Sequence, residues 1–276
     1  MVDATALNKH YGVDVLEERA MTVLKENGLD HDGIGWQDLS RFDQFHTGGL
    51  GATLALAELL APEAGQAGLD IGSGLGGPAR AVAATYGCQM TGLDLNPTYV
   101  RVATEFSRRS RLTGQTTFVE GNALVMPFAD ASFDFGMTQH TAMNIPDRVG
   151  LYTEIRRVLN SGAKLAIHDV VLGNGQPIEF PFPWASRAEL SAVVAVETMN
   201  EALQSAGFRE FVFRDTTEDA KAFFAQNQAA PDSASGKLPA NLVALIGPEF
   251  APLLGNYAKH VADGRLRVIQ TIQEAV

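Results

Sequence analysis

The chain has 276 residues, 46% of them hydrophobic, and a formal net charge of -11 at pH 7. That is enough apolar material for one large core with a smaller annex, and the acidic excess argues against nucleic acid or an anionic membrane surface as a partner, since both are bound through clustered Lys and Arg. The single cysteine, Cys88, excludes an internal disulfide, and no N-terminal apolar run reads as a signal peptide or a membrane span, so a cytoplasmic address is expected.

Residues 1–60 predict a helical cap, with an Ala/Leu/Glu-rich stretch at 14–27, a glycine-rich loop around Gly33 to Gly35 and a helical stretch at 50–60. From Gly68 to about Asp215, short apolar runs at 67–71, 89–93, 116–119, 132–138, 162–171 and 209–214 alternate with amphipathic segments. Such alternation predicts an α/β fold built on a mostly parallel sheet with helices on both faces. Helical periodicity covers 78–86, 97–112 and 147–159, and Pro78 and Pro97 suit a first helical turn, where proline forfeits no hydrogen bond. Cys88 opens the second strand and reads as a small packing residue. Arg108-Arg109-Ser110-Arg111 reads as a solvated helix end. Residues 172–190 are too rich in proline and glycine for a regular element and too aromatic for an idle linker, which predicts an ordered functional loop. Residues 217–263 read as a helical insert, broken near Pro231-Asp232-Ser233, that completes a pocket or forms a homodimer face; 264–271 then supplies the seventh strand of the core 61–276.

The chemistry concentrates at strand ends. Leu69-Asp70-Ile71-Gly72-Ser73-Gly74-Leu75-Gly76-Gly77 is a strand that runs through a glycine turn into a helix, whose first N–H groups then face whatever lies in the turn. Gly72, Gly74 and Gly77 also fit the dinucleotide fingerprint, so the spacing alone leaves a nicotinamide cofactor open. Asp94, twenty residues past Gly74, ends the next strand, where a carboxylate takes both hydroxyls of a ribose. Asn122 ends the third strand, beside the place of an adenine ring, and Gln139-His140 ends the fourth.

These residues resemble the class I S-adenosylmethionine-dependent methyltransferases from about residue 40 onward. The likeness rests on Asp70-Ile71-Gly72-Ser73-Gly74-Leu75-Gly76-Gly77, Gly92-Leu93-Asp94, Gly121-Asn122-Ala123, Met126-Pro127-Phe128 with Ser132-Phe133-Asp134, and Arg156-Arg157-Val158-Leu159 before Gly162-Ala163-Lys164-Leu165. The resemblance implies a Rossmann-like seven-stranded sheet and S-adenosylmethionine as cofactor, with S-adenosylhomocysteine as product. It implies that the glycine turn holds the methionine portion, Asp94 the ribose and Asn122 with Ala123 the adenine. Asp70, Ser73, Gly76, Leu95 and Gln139 complete the cofactor set. Asn122 stands where the family commonly has Asp, and Ser161-Gly162-Ala163 where it usually has Gly-Gly. The alternatives are an NAD-dependent oxidoreductase and a non-catalytic protein that binds S-adenosylmethionine.

Methyl transfer from a sulfonium is an in-line displacement, so the protein must align donor and acceptor, exclude water and, for some acceptors, supply a base. His46, His140 and His168 are three of only six histidines, and all are expected at one cleft. His46 and His140 are the candidate bases; Phe45, Asn144, His168, Asp169, Phe182 and Trp184 join them as candidate acceptor contacts. A metal reading of the histidines with Asp169 lacks a compact ligand spacing, and no metal is expected. The Phe45-His46-Thr47-Gly48-Gly49, Gln139-His140-x-x-Met143-Asn144 and Pro183-Trp184 segments are similar to the branch that includes sarcosine/dimethylglycine and phosphoethanolamine N-methyltransferases. That likeness implies a small-molecule acceptor and favours nitrogen over oxygen or carbon.

Overall fold

Seven strands form one sheet in the order β3-β2-β1-β4-β5-β7-β6. They are β1 Ala67–Ile71, β2 Gln89–Asp94, β3 Thr116–Glu120, β4 Phe133–Gln139, β5 Leu159–Leu172, β6 Phe208–Asp215 and β7 Leu266–Ala275. The structure, a computed structural model, describes residues 16–228 and 242–276; the expected break at Pro231-Asp232-Ser233 lies outside the described residues. β1 to β5 pair in parallel, with Asp70 opposite Gly92 and Met137, and Asp94 opposite Glu120. β7 alone is reversed, running antiparallel between β5 and β6.

Helices α1 Leu16–Glu26, α2 Trp36–Leu39 and α3 Gly49–Leu60 precede the sheet. Between strands come α4 Gly77–Tyr86, α5 Pro97–Arg109, α6 Arg148–Val158 and α7 Val196–Ser205; α8 Thr217–Gln228, α9 Leu242–Ile246 and α10 Phe250–Ala262 precede β7. Two helices go beyond the sequence expectation. α2 has only 4 residues, too few for a period to show, and α7 follows the β-branched run Val193-Val194, which masks its start. β5 begins at Leu159, three residues early, because Phe133 already pairs with Leu159 before a bulge.

Local chemistry sets the helix starts. The Asn96 side chain accepts from the backbone N–H of Thr98 at 2.9 Å and Tyr99 at 3.3 Å, and Pro97 follows in the first turn. Strand alternation divides the core: Leu165 and Ile167 pack with Leu151, Ile155 and Leu203 on one face, while Ala166 packs with Leu56, Ala79 and Val82 on the other. The N-terminal segment is part of this packing, since Leu16, Val23 and Phe42 share a cluster with Leu75, Tyr99 and Phe106. Among the described residues no helix is long and apolar enough to cross a membrane. The strand order reverses between β1 and β4, which opens a crevice at the carboxyl ends of the parallel strands.

Candidate active site

A cavity of about 790 Å³ occupies that crevice, in the upper part of the roughly 300–1,000 Å³ typical of small-molecule sites. One end is the turn after β1. Gly72 and Gly74 have φ of 75° and 52°; a Cβ on Gly72 would overlap Thr141, whereas one on Gly74 would meet only Phe45, at 3.5 Å. Glycine therefore leaves bare backbone against the cavity. Asp94 accepts from the N–H groups of Gly74 at 2.8 Å and Asn96 at 2.9 Å, which clamps the turn to β2. Burial nevertheless pushes its carboxyl up to about 6. Asp70, 1% exposed, is pushed up to about 7, first by burial and then by the charge of Asp94. Its Oδ2 and the Ser73 hydroxyl are buried without a protein partner. At the end of β3, Asn122 Oδ1 accepts from the N–H of Leu124 at 2.9 Å, an Asx turn that fixes the amide.

The other end is built around histidine. His46 lies before α3, His140 follows β4 and His168 sits within β5; their ring centroids are 6.1, 5.5 and 4.9 Å apart. Burial holds all three neutral: His46 falls to about 4, and His140 and His168 lie well below the usual range. The Thr53 hydroxyl donates to Gln44 Oε1 at 2.9 Å, and His46 Nε2 lies 3.0 Å from Thr53 Oγ1 and 3.1 Å from the Gly49 carbonyl. That carbonyl can only accept, which puts the imidazole proton on Nε2 and leaves Nδ1 as the basic atom. Gln139 extends the network, donating to Thr53 at 3.3 Å with its Oε1 3.4 Å from His168 Nδ1. His140 has φ of 52°, a conformation rare outside glycine and concentrated at functional sites. Its Nε2 is buried without a partner. Beyond the histidines, the hydroxyls of Thr47 and Tyr257 are 3.0 Å apart and join the segment before α3 to α10.

Of the residues singled out in the sequence, Asp70, Gly72, Ser73, Gly74, Asp94, Leu95, Asn122, Ala123 and Gln139 line the cavity, as do Phe45, His46, His140, Asn144 and Trp184. Four expected contacts do not. Gly76 caps α4, and a Cβ there would overlap Phe118. His168 lies behind the other two histidines, 2% exposed. Asp169 is buried against Arg148 at 3.6 Å, so it balances a structural cation. Phe182 is buried between Trp184, stacked at 4.7 Å, and His260 at 4.9 Å; it backs the tryptophan and leaves the cavity to it. Sequence reasoning passed over Arg41, Tyr99, Phe223, Phe224, Leu254 and Tyr257, all of which line the site. The Phe223-Phe224 pair was a visible signal, but Tyr257 meets Thr47 across 210 residues and carries none. Among the described residues, no group of three or more His, Cys, Asp or Glu side chains is placed to hold a metal ion.

A family profile described as a methyltransferase domain matches residues 69–167, from β1 into β5. The chain is 32% identical over 197 residues to the O-methyltransferase resE of Aspergillus sclerotiorum, covering 70% of this chain and 74% of that protein. It is 29% identical over 197 residues to the sterol 24-C-methyltransferase of Saccharomyces cerevisiae, covering 67% of this chain and 51% of that protein. It spans only 36% of the length of another relative, the methyltransferase phqN of Penicillium fellutanum. A solved phosphoethanolamine N-methyltransferase of Haemonchus contortus shares the fold with a TM-score of 0.71 at 21% identity, covering 95% of this chain and 59% of that one. The sheet order and the crevice define a class I, Rossmann-like nucleotide-binding architecture. The chain belongs to the S-adenosylmethionine-dependent methyltransferase family.

The residues present fit that cofactor. Asp70 Oδ2 is a buried acceptor with no partner, suited to an ammonium, and Ser73 Oγ is a second unmatched polar atom beside it. Bare backbone at Gly74 leaves room for a ligand chain, and Asp94 retains lone pairs beyond the two N–H groups it accepts.

Proposed function

We propose that the protein transfers a methyl group from S-adenosylmethionine to a small-molecule acceptor held at the histidine end of the cavity. The observation that carries this reading is that one cavity holds the glycine turn and its two carboxylates at one end and a wall of histidine and aromatic side chains at the other. In this reading Asp70, Gly72, Ser73 and Gly74 hold the methionine portion, Asp94 the ribose, and Asn122 with Ala123 the adenine. When bound, the cofactor would supply an electrophilic methyl carbon to an acceptor lone pair, with the carbon–sulfur pair left on sulfur, and the protein's part would be to hold the acceptor in line and take its proton. His46 Nδ1 and His140 are the groups that take that proton, since burial keeps both neutral at pH 7. The resemblance to sarcosine/dimethylglycine and phosphoethanolamine N-methyltransferases supports nitrogen as one candidate for the atom methylated. The O- and C-methyltransferase relatives support oxygen or carbon instead, so the lining of the acceptor end has to decide.

Titration calorimetry with S-adenosylhomocysteine and with NADH tests the cofactor, and the expected result is saturable binding of the first alone. Tight NADH binding without a response to the sulfur compound would replace the reading with a dehydrogenase. A screen for labelled-methyl transfer over amines, phenols and carboxylates tests the activity. On an acceptor found in this way, His46→Asn or His140→Asn should slow turnover by about 100-fold or more, the scale of general base catalysis, with S-adenosylhomocysteine affinity little changed.

A further inference from the structure

The charges around the cavity are unevenly placed. Among the described lining residues four carry a formal charge: Asp70 and Asp94 at the glycine turn, Asp43 and Arg41. Asp43 is already matched by Arg80 at 2.8 Å, and Arg41 is a cation exposed at the rim. The acceptor end has a different character. α8 and α10 turn Phe223, Phe224, Leu254 and Tyr257 toward the cavity, and Met143 and Trp184 pack with them. The same helices do carry charges, but on other faces, where Lys221 pairs with Glu218 at 2.8 Å and Lys259 approaches Glu179 at 3.9 Å. The nearest buried carboxylate beyond the wall, Asp169, faces Arg148. Trp184 offers no open aromatic cage for a cation, because Phe182 stacks on it with an interplanar angle of 3° and Tyr257 closes on it edge to face at 5.1 Å.

We infer that the acceptor is a neutral, largely apolar molecule that presents a hydroxyl group to His46 and His140, and that an ammonium ion of the same shape is rejected. This rests on the methyl-transfer reading of the site and names its substrate class. Burying an unpaired ammonium against this wall would forfeit its hydration with no carboxylate among the described wall residues to replace it. A neutral hydroxyl loses far less. It can donate to an imidazole nitrogen, and two neutral imidazoles stand at the floor, one with a buried nitrogen lacking any partner. The apolar remainder of the molecule is then held by the aromatic and aliphatic wall through burial alone.

The test compares 2-naphthol with 2-naphthylmethylammonium, which share a ring system and differ in charge. Titration calorimetry at pH 7.5 on the full chain saturated with S-adenosylhomocysteine, which occupies Asp70 and Asp94, should show naphthol binding at least ten times more tightly. Leu254→Asp, at a half-buried position, should move that ratio at least fivefold toward the ammonium. Equal or tighter binding of the ammonium by the natural chain, saturable binding of neither compound, or a ratio unmoved by Leu254→Asp would overturn the inference. Failure of S-adenosylhomocysteine to bind would instead overturn the methyl-donor reading, and the same titrations on a free Asp70→Asn, Asp94→Asn chain would then decide the charge preference.

Discussion

Asp70 shows how a single side chain prepares a site. Its carboxyl is pushed up to about 7 because water is excluded and Asp94 is close by, so roughly half of the free molecules carry its proton at pH 7. The usual carboxyl value is 3.8. A group whose value rises on folding contributes stability that is present below 3.8 and is lost as pH rises through about 7. A ligand ammonium set against Oδ2 reverses this by favouring the ionised form. S-adenosylhomocysteine binding at pH 7 should therefore release a substantial fraction of a proton, seen as a difference in binding enthalpy between phosphate and Tris buffers. Asp70→Asn should abolish the difference, flatten the loss of stability with rising pH, and weaken binding by about 1.5–3 kcal/mol, the scale of a hydrogen bond to a charged group. Equal enthalpies in the two buffers for the natural protein would remove Asp70 from the ammonium site.

At the scale of elements, the segment before α3 is fastened to α4 by one buried ion pair. Arg80 donates to Asp43 at 2.8 Å and also to the carbonyls of Leu75 at 2.6 Å and Ala103 at 3.1 Å, with both charged side chains about 1% exposed. Asp43→Ala leaves the guanidinium buried without a counter-ion and should cost about 3–5 kcal/mol in urea unfolding, while Asp43→Leu with Arg80→Met should recover most of that loss. A loss below about 1 kcal/mol in the single variant would mean that the pair contributes little to holding the segment. Neither residue announces this role in the sequence, whereas the elements they join were largely legible. Pro78 and Pro97 marked helix starts because proline is tolerated there, and the apolar runs marked β1 to β4 because strands buried on both faces lack polar interruptions. The candidate site was legible where it depends on strand ends, as at Asp70, Asp94, Asn122 and His140. It was not legible where it depends on which way a buried residue turns. His168 and Asp169 are neighbours on β5 and must point to opposite faces, so the two were never able to share one wall. The insert at 217–263 was expected to complete a pocket or a dimer face, but which of its residues line the cavity escaped notice, because helices far along the chain meet the segment before α3 only in three dimensions.

The whole molecule is held together around its cavity. Residues between Ser40 and Leu50 line it from the N-terminal side, the strand ends line it from below, and Phe223, Phe224 and residues between Leu242 and Ala258 line it from the insert. A ligand that fills the cavity touches all three, so its binding energy stabilises all three together. The packing supports the same view, because Leu16, Leu39 and Phe42 share a cluster with Tyr99 and Phe106 of α5 and with Leu245 of α9. Unfolding the cap alone would expose that cluster, and thermal unfolding is therefore expected as one cooperative transition. S-adenosylhomocysteine at about 100 times its Kd should stabilise the folded state by about 2.7 kcal/mol, which for a chain of this size raises Tm by about 5–10 °C. Differential scanning calorimetry with and without the ligand measures both features. Two resolved transitions, with only the later one moved by the ligand, would show that the first sixty residues unfold as a separate body. In that case the ligand would draw its affinity from the strand ends, and Phe45 would contribute little to holding it.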